Sequence, residues 1–304
     1  MADVGVLVLR TAGINCDEEV MHCWRLAGAK PTLMHINRAA EQPSIVGDYD
    51  IVTIPGGFSY GDDIAAGVIL AQRVLHDLEE PLRRLVERGG GLLGICNGFQ
   101  ALVKAGFLPG GDVAPGQVTV TYNNSAKFEA RWIRLEVCTD RCVFLTSGST
   151  TEKRGAAGGL STSVLPDERD GIGSSPLDRP TTPLGYPPAC RTRRTTYLEL
   201  PVEHAEGKVV TASDTVVKRL EAAGQIAVRY VDADGRYDTY PANPNGSVAG
   251  IAGLCDPTGR IFGLMPHPDR HFDHTHHPHW TRRNPPGPPD GLTVFQNAVA
   301  YWRQ

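Results

Sequence analysis

Residues 91 to 100, G-L-L-G-I-C-N-G-F-Q, decide how the rest of the chain is read. Leu92 to Ile95 is a short apolar run that predicts a buried strand, and Phe99 to Ala105 begins a helix, so only Cys96, Asn97 and Gly98 separate the two. A strand that turns into a helix through Gly94-x-Cys96-x-Gly98 has the geometry of a nucleophile elbow: the sharp turn exposes one side chain, and small neighbours avoid a clash. The following helix points its N-terminus at the sulfur, which favours the thiolate, and the Asn97 backbone N–H is placed to donate to an oxyanion. The same pentapeptide also fits a tight turn that holds a buried cysteine, because so short a pattern often arises by chance.

Working outward, Val4 to Leu9 predicts a strand, and Asn15 to Ala27 places Val20, Met21, Trp24 and Leu26 at helical spacing behind a cap at Asn15 or Asp17. Thr32 to Ile36 and Asp50 to Ile54 predict two more strands, the second ending in Pro55-Gly56-Gly57. From Ile64 to Arg88 apolar residues repeat at three and four, with a break expected at Pro81 and a stop at Gly89 to Gly91. This alternation predicts an α/β fold, a mainly parallel sheet with helices on both faces. Phe128 to Val137, Gln225 to Val231, Val248 to Cys255 and Arg260 to Met265 read as strands joined by turns, among them Asp232 to Gly235 and Asp256 to Gly259, which adds antiparallel strands in the second half. Leu292 to Trp302 predicts a closing amphipathic helix. The segment at about 147–196, rich in Ser, Thr, Gly, Pro, Asp and Arg without steady period, reads as a long insertion, mobile or partly disordered, and 271–290 as a Pro/His-rich loop. The expected organisation is one domain over 1–304 carrying these two additions.

With 41% hydrophobic and 21% charged residues the composition is that of a soluble globular protein, and a net charge of −4 gives no overall reason to expect a nucleic-acid or anionic-membrane partner. Met1 to Arg10 lacks the pattern of a signal peptide, and the longest clean apolar stretch, Ile64 to Ala71, is far short of the roughly 18 residues of a membrane span. Seven cysteines, without a C-x-x-C pair, argue against a disulfide framework or zinc ribbon, so a cytoplasmic location is expected. Gly89-x-Gly91-x-x-Gly94 fits the dinucleotide fingerprint as a string but precedes a strand instead of following one. The cluster His271, His274, His276, His277 and His279 matches no standard zinc spacing and reads as a surface loop, so no metal is expected.

A thiolate nucleophile needs a base. His267, in G-L-M-P-H-P-D at 263 to 269, directly follows an apolar strand and would emerge at the carboxyl edge of the sheet, as Cys96 does. Asp269 is then placed to orient the imidazole and stabilise its charged form. The loop P-G-G-F-S-Y-G-D at 55 to 62 also follows a strand, and its glycines allow the close approach that would make the Gly57 N–H a second oxyanion donor. Taken singly, each segment also fits an ordinary turn.

Together, I-P-G-G-F-S-Y-G-D-D at 54 to 63, G-I-C-N-G-F-Q at 94 to 100 and G-L-M-P-H-P-D-R at 263 to 270 resemble the class I, triad-type glutamine amidotransferases. With V-L-V-L-R-T-A-G-I-N-C-D near the start, N-S-A-K-F-E-A-R-W at 124 to 132, L-P-V-E-H-A-E-G at 200 to 207 and N-P-N-G-S at 243 to 247, they are most similar to the glutaminase subunits of phosphoribosylformylglycinamidine synthases, in purine biosynthesis. The resemblance implies a flavodoxin-like fold and hydrolysis of L-glutamine to glutamate and ammonia. Cys96 would attack the amide, His267 would shuttle protons, and Asp269 would stand where the family has Glu. Gly57 and Asn97 would bind the oxyanion, while Gln100, Phe58, Ser59 and His204 would hold substrate. It further implies two partners, a synthetase subunit that uses ATP and magnesium and a small bridging subunit, with no cofactor on this chain. The family's H-G-E-G is matched only in part by His204-Ala205-Glu206-Gly207. An alternative is a non-catalytic docking or regulatory module of the same complex, and a third reading keeps the elbow with the chemistry of cysteine-peptidase or chaperone relatives.

Overall fold

The computed structural model describes residues 3–146, 196–283 and 287–304. The strands are β1 (Gly5–Arg10), β2 (Lys30–His35), β3 (Ile51–Ile54), β4 (Gly91–Ile95), β5 (Val118–Thr121), β6 (Glu129–Val137), β7 (Tyr197–His204), β8 (Lys208–Thr211), β9 (Ile226–Val231), β10 (Ile251–Cys255) and β11 (Ile261–Leu264). Nine of them form one sheet in the order β2-β1-β3-β4-β11-β10-β9-β6-β7, and β5 pairs with β8 apart from it. The five strands from β2 to β11 run parallel; the remaining pairings of the sheet are antiparallel. The mixed sheet expected from the sequence is thus present, its parallel half made of the buried runs that flank the elbow.

Helices flank the sheet. Trp24 of α1 (Asp17–Leu26) meets Phe295 of α7 (Asp290–Trp302) edge to face with ring centres 4.9 Å apart, and its indole N–H donates to Thr53 Oγ1 at 3.1 Å. Between them come α2 (Ile36–Glu41), α3 (Val68–Arg73), α4 (Glu79–Glu87), α5 (Asn97–Lys104) and α6 (Asp214–Ala222). The break expected at Pro81 lies earlier. A single π turn at Val74–Leu78 joins α3 to α4, and Pro81 falls in the first turn of α4, where its missing N–H has no intrahelical partner to lose. The strand expected over Val248 to Cys255 starts late, because Val248–Gly250 is a 3-10 turn with Ala249 at φ 51°. β5, β7, β8 and α6 had no reading from the sequence; β7 alternates exposed and buried residues only at its start, before the buried run Leu200-Pro201-Val202.

The insertion expected at about 147–196 falls, but for Thr196, outside the described residues. In the 271–290 loop, His271 and His277 stack edge-on against Trp132, with ring centres 4.9 and 4.6 Å away, and His271 Nδ1 contacts the Glu199 carbonyl at 2.9 Å. The loop is thereby fastened to β6 and β7. Among the described residues no helix is long and apolar enough to cross a membrane.

Trp24 is wholly buried at the join of α1, α7 and β3. Trp24→Ala should lower unfolding stability by about 3–5 kcal/mol through the cavity it leaves, measured by urea denaturation, and a loss under 1 kcal/mol would contradict this packing.

Candidate active site

β4 ends at Ile95, and Cys96 takes φ 50° and ψ −104° before α5 begins at Asn97. A non-glycine residue in that region stores about 1–3 kcal/mol, which persists only where the surroundings over-determine it. Here they do: a Cβ on Gly98 would overlap the Ile54 carbonyl, and one on Gly94 would lie 2.7 Å from the Gly98 carbonyl. The glycines let α5 close onto β3 and β4 and leave the thiol as the side chain at the turn. Its backbone is held by the Cys96 N–H donating to Leu264 O at 2.8 Å.

The other two segments arrive at the same edge because β3, β4 and β11 are parallel neighbours, with Ile54 opposite Gly94 and Ile95 opposite Leu264. Beyond β11, the His267 N–H donates to Pro201 O at 2.9 Å. A Cβ on Gly56 would stand 2.8 Å from His267 Cε1 and 3.3 Å from Cys96 Cβ, so this glycine fills the space between nucleophile and imidazole. Gly57 has φ 144°, and a Cβ there would meet the Gly13 carbonyl and Ile14 Cα, both at 2.7 Å. Only glycine fits.

Cys96, His267, Gly57 and Phe58 line a cavity of about 80 Å³ together with Asn15, Cys16, Phe128, Glu203 and Arg270. Burial opposes protonation of His267, but the negative charges of Cys96 and Asp269 outweigh it and raise its pKa well above the usual 6.5. Asp269 is fully buried, and its Oδ1 lies 3.4 Å from His267 Nδ1, within ion-pair reach but long for a hydrogen bond; both of its oxygens lack a hydrogen-bond donor.

Asn97, at the first turn of α5, holds the loop of residues 55–62 from the side. Its Oδ1 accepts from the Ser59 N–H at 3.2 Å, and its Nδ2 donates to Asp62 Oδ1 at 3.1 Å and Gln100 Oε1 at 3.0 Å. Burial pushes the Asp62 carboxyl up, and the bonds from Gly67 and Asn97 work against that.

Three residues expected to touch substrate stand elsewhere. Gln100, instead of lining the cavity, is buried in α5, donates to the Glu206 carbonyl and accepts from Asn97. It fastens the 204–206 turn to the elbow helix. His204 is buried behind that turn with Nδ1 3.1 Å from Asn123 Oδ1; burial, then the charge on His267, lowers its pKa to about 3, so it is neutral at physiological pH. Ser59 is buried outside the cavity lining, its hydroxyl without a partner. Phe58 alone of the four borders the cavity, tilted against Phe128 at 6.5 Å.

Five cavity-lining residues, Asn15, Cys16, Phe128, Glu203 and Arg270, were not expected from the sequence, and two of them make polar contacts at the imidazole's edge. Cys16, beyond β1, lies with Sγ 4.0 Å from His267 Nδ1, and Arg270 Nη2 donates to that sulfur at 3.4 Å while Nη1 pairs with Glu203 at 2.7 Å. The signal was available for Cys16, since N-C-D follows the first strand just as the other site loops follow theirs.

The sequence profile of the CobB/CobQ-like glutamine amidotransferase domain matches residues 3–168 and 186–302. The phosphoribosylformylglycinamidine synthase subunit PurQ of Dehalococcoides mccartyi is 39% identical over 306 residues, with all of both chains covered. That of Archaeoglobus fulgidus is 34% identical over 314 residues, covering 98% of this chain and 97% of its own. The structure of PurLQS from Thermotoga maritima shares the fold, with a TM-score of 0.63 at 24% identity over 99% of this chain and 100% of that one. By its match over most of its length and its end-to-end likeness to PurQ subunits, the chain belongs to the CobB/CobQ-like glutamine amidotransferase family.

Proposed function

We propose that this chain hydrolyses L-glutamine at Cys96, with His267 as proton carrier and Asp269 as the charge behind it, and that it does so as the glutaminase subunit of phosphoribosylformylglycinamidine synthase. The observation that carries the reading is one cavity in which a strained Cys96 and a His267 of raised pKa meet. The Cys96 thiolate attacks the side-chain carbonyl carbon, and the negative charge moves to the amide oxygen, where the N–H groups of Gly57 and Asn97 receive it. The His267 imidazolium gives its proton to the leaving nitrogen as the C–N bond breaks, releasing ammonia and leaving a thioester. Neutral His267 then takes a proton from water, whose oxygen attacks the thioester carbon and frees glutamate and the thiolate.

The ammonia goes to the synthetase subunit, which converts formylglycinamide ribonucleotide to its amidine, with a small bridging subunit completing the complex. ATP and magnesium are assigned to the synthetase and no cofactor to this chain. The location is read as cytoplasmic, in keeping with free thiols at Cys16, Cys23, Cys96, Cys138, Cys142 and Cys255.

Cys96→Ala should reduce glutamate release by several orders of magnitude, assayed with the synthetase and bridging subunits present. An unchanged rate would remove Cys96 from the mechanism. Asp269→Asn should lower kcat/KM at neutral pH by about 10²–10⁴-fold, because the imidazolium loses the carboxylate charge behind it. The alkaline limb of the pH profile reports proton loss from His267, so in the wild-type chain it should lie well above pH 6.5. Asp269→Asn should move that limb down, since one of the charges raising the pKa is gone; a limb that stays put would refute this coupling. Protonated His267 also stabilises the fold fully below its unfolded pKa and loses that contribution as pH rises through the raised folded value.

A further inference from the structure

Cys16 gives this site a feature that glutamine hydrolysis leaves unused. The ligand atoms of Cys16, His267 and Asp269 lie within 4.8 Å of one another, and all three residues are buried. His267 Nδ1 is 3.4 Å from Asp269 Oδ1 and 4.0 Å from Cys16 Sγ. A tetrahedral zinc ion, with bonds of about 2.3 Å to sulfur and about 2.0–2.2 Å to nitrogen and oxygen, holds its ligand atoms about 3.3–3.6 Å apart. The separation that is long for a hydrogen bond between His267 and Asp269 is therefore the right width for two ligands on one ion, and Cys16 closes onto it by a side-chain shift within the 4.8 Å that bounds the three atoms.

A second observation points the same way. Asp269 is 0% exposed, and both carboxylate oxygens lack a hydrogen-bond donor. A buried carboxylate without donors is costly, and a cation would satisfy it. Charge agrees: the Cys16 thiolate and Asp269 together balance a dication, while Arg270, which donates to Cys16 Sγ at 3.4 Å through one nitrogen, has its own charge paired with Glu203 through the other. Cys16 and His267 both line the 80 Å³ cavity, so an ion has a way in.

We propose that Cys16, His267 and Asp269 form a binding site for a soft divalent cation, with zinc the best match, and that its occupancy stops glutamine hydrolysis. Binding releases the Cys16 thiol proton and the proton on His267 Nδ1 to solvent, and nothing is oxidised or reduced. The metal takes the nitrogen that Asp269 faces and draws on the lone pair that makes the ring basic, so the imidazole no longer carries protons for Cys96. Inhibition rests on the role proposed for His267; binding does not, and the two are measured separately.

The full-length chain, reduced and freed of metal, is titrated with Co²⁺ as a spectroscopic stand-in for zinc. One equivalent should bind and give an intense near-ultraviolet thiolate-to-cobalt band with visible bands of tetrahedral geometry, all discharged by one equivalent of Zn²⁺. The band should persist after Cys96 is alkylated and vanish in Cys16→Ser. Asp269→Asn should weaken binding at least about 10-fold, a loss that even outer-shell changes can reach. X-ray absorption of the zinc-loaded, Cys96-alkylated wild-type chain needs no variant and should show one sulfur with nitrogen and oxygen neighbours. Absence of stoichiometric binding, a band that survives Cys16→Ser, or one that disappears on alkylation of Cys96 would each overturn the site. Tight binding without loss of glutamate release would keep the site and overturn instead the role given to His267.

Discussion

The site depends on the parallel register of β3, β4 and β11. Because Ile54 faces Gly94 and Ile95 faces Leu264, the chain leaves these strands at one edge of the sheet, and the residues that follow must share a small volume. Gly57, Cys96 and His267 come from positions far apart in the chain, and the hydrogen bonds of the ladders are what bring them together. Side chains there have little freedom. The cavity wall is backbone at Gly57, and any side chain at Gly56 or Gly57 would occupy the place of His267 or of the loop from Gly13 to Asn15.

That crowding also sets the electrostatics. His267 is enclosed, so water does little to screen its neighbours, and the electrostatic influence of Cys96 and Asp269 raises its pKa against the cost of burial. His204, buried nearby without a carboxylate, titrates the other way. The contrast shows why one histidine of the region suits proton transfer and the other serves as a neutral hydrogen-bonding group for Asn123. Asn97 links this region to the backbone: its side chain ties Ser59, Asp62 and Gln100 to the first turn of the elbow helix, so the 55–62 loop and Cys96 are positioned by one residue.

Long-range anchoring extends to the later part of the chain. Trp132 on β6 receives His271 and His277, while Glu199 on β7 bonds to both of these and to Arg283. A histidine-rich stretch that could be mistaken for a metal motif is, in its described part, a clasp between the last loop and the antiparallel half of the sheet. The metal-like grouping lies instead around His267, where residues 251 positions apart in sequence meet.

By itself the sequence determined the parallel strands and the elbow, and it pointed to Cys96, His267 and Gly57, which the structure brings to one cavity, because each is written in a contiguous pattern: an apolar run, a turn of small residues, one chemically distinctive side chain. It also pointed to Asp269, two residues from His267. What only the tertiary structure decided was which neighbours face the cavity. Gln100 lies one helical turn beyond Cys96, yet its amide points to the Glu206 carbonyl; Ser59 follows Phe58 directly, yet only the ring borders the cavity. Cys16 enters because β1 lies beside β3 in the sheet, so the loop after β1 runs against Gly56 and Gly57. Local patterns fix the backbone path through short-range sterics and hydrophobic period. The direction and company of a side chain at a strand end follow from contacts across the sheet, between residues that no local pattern relates.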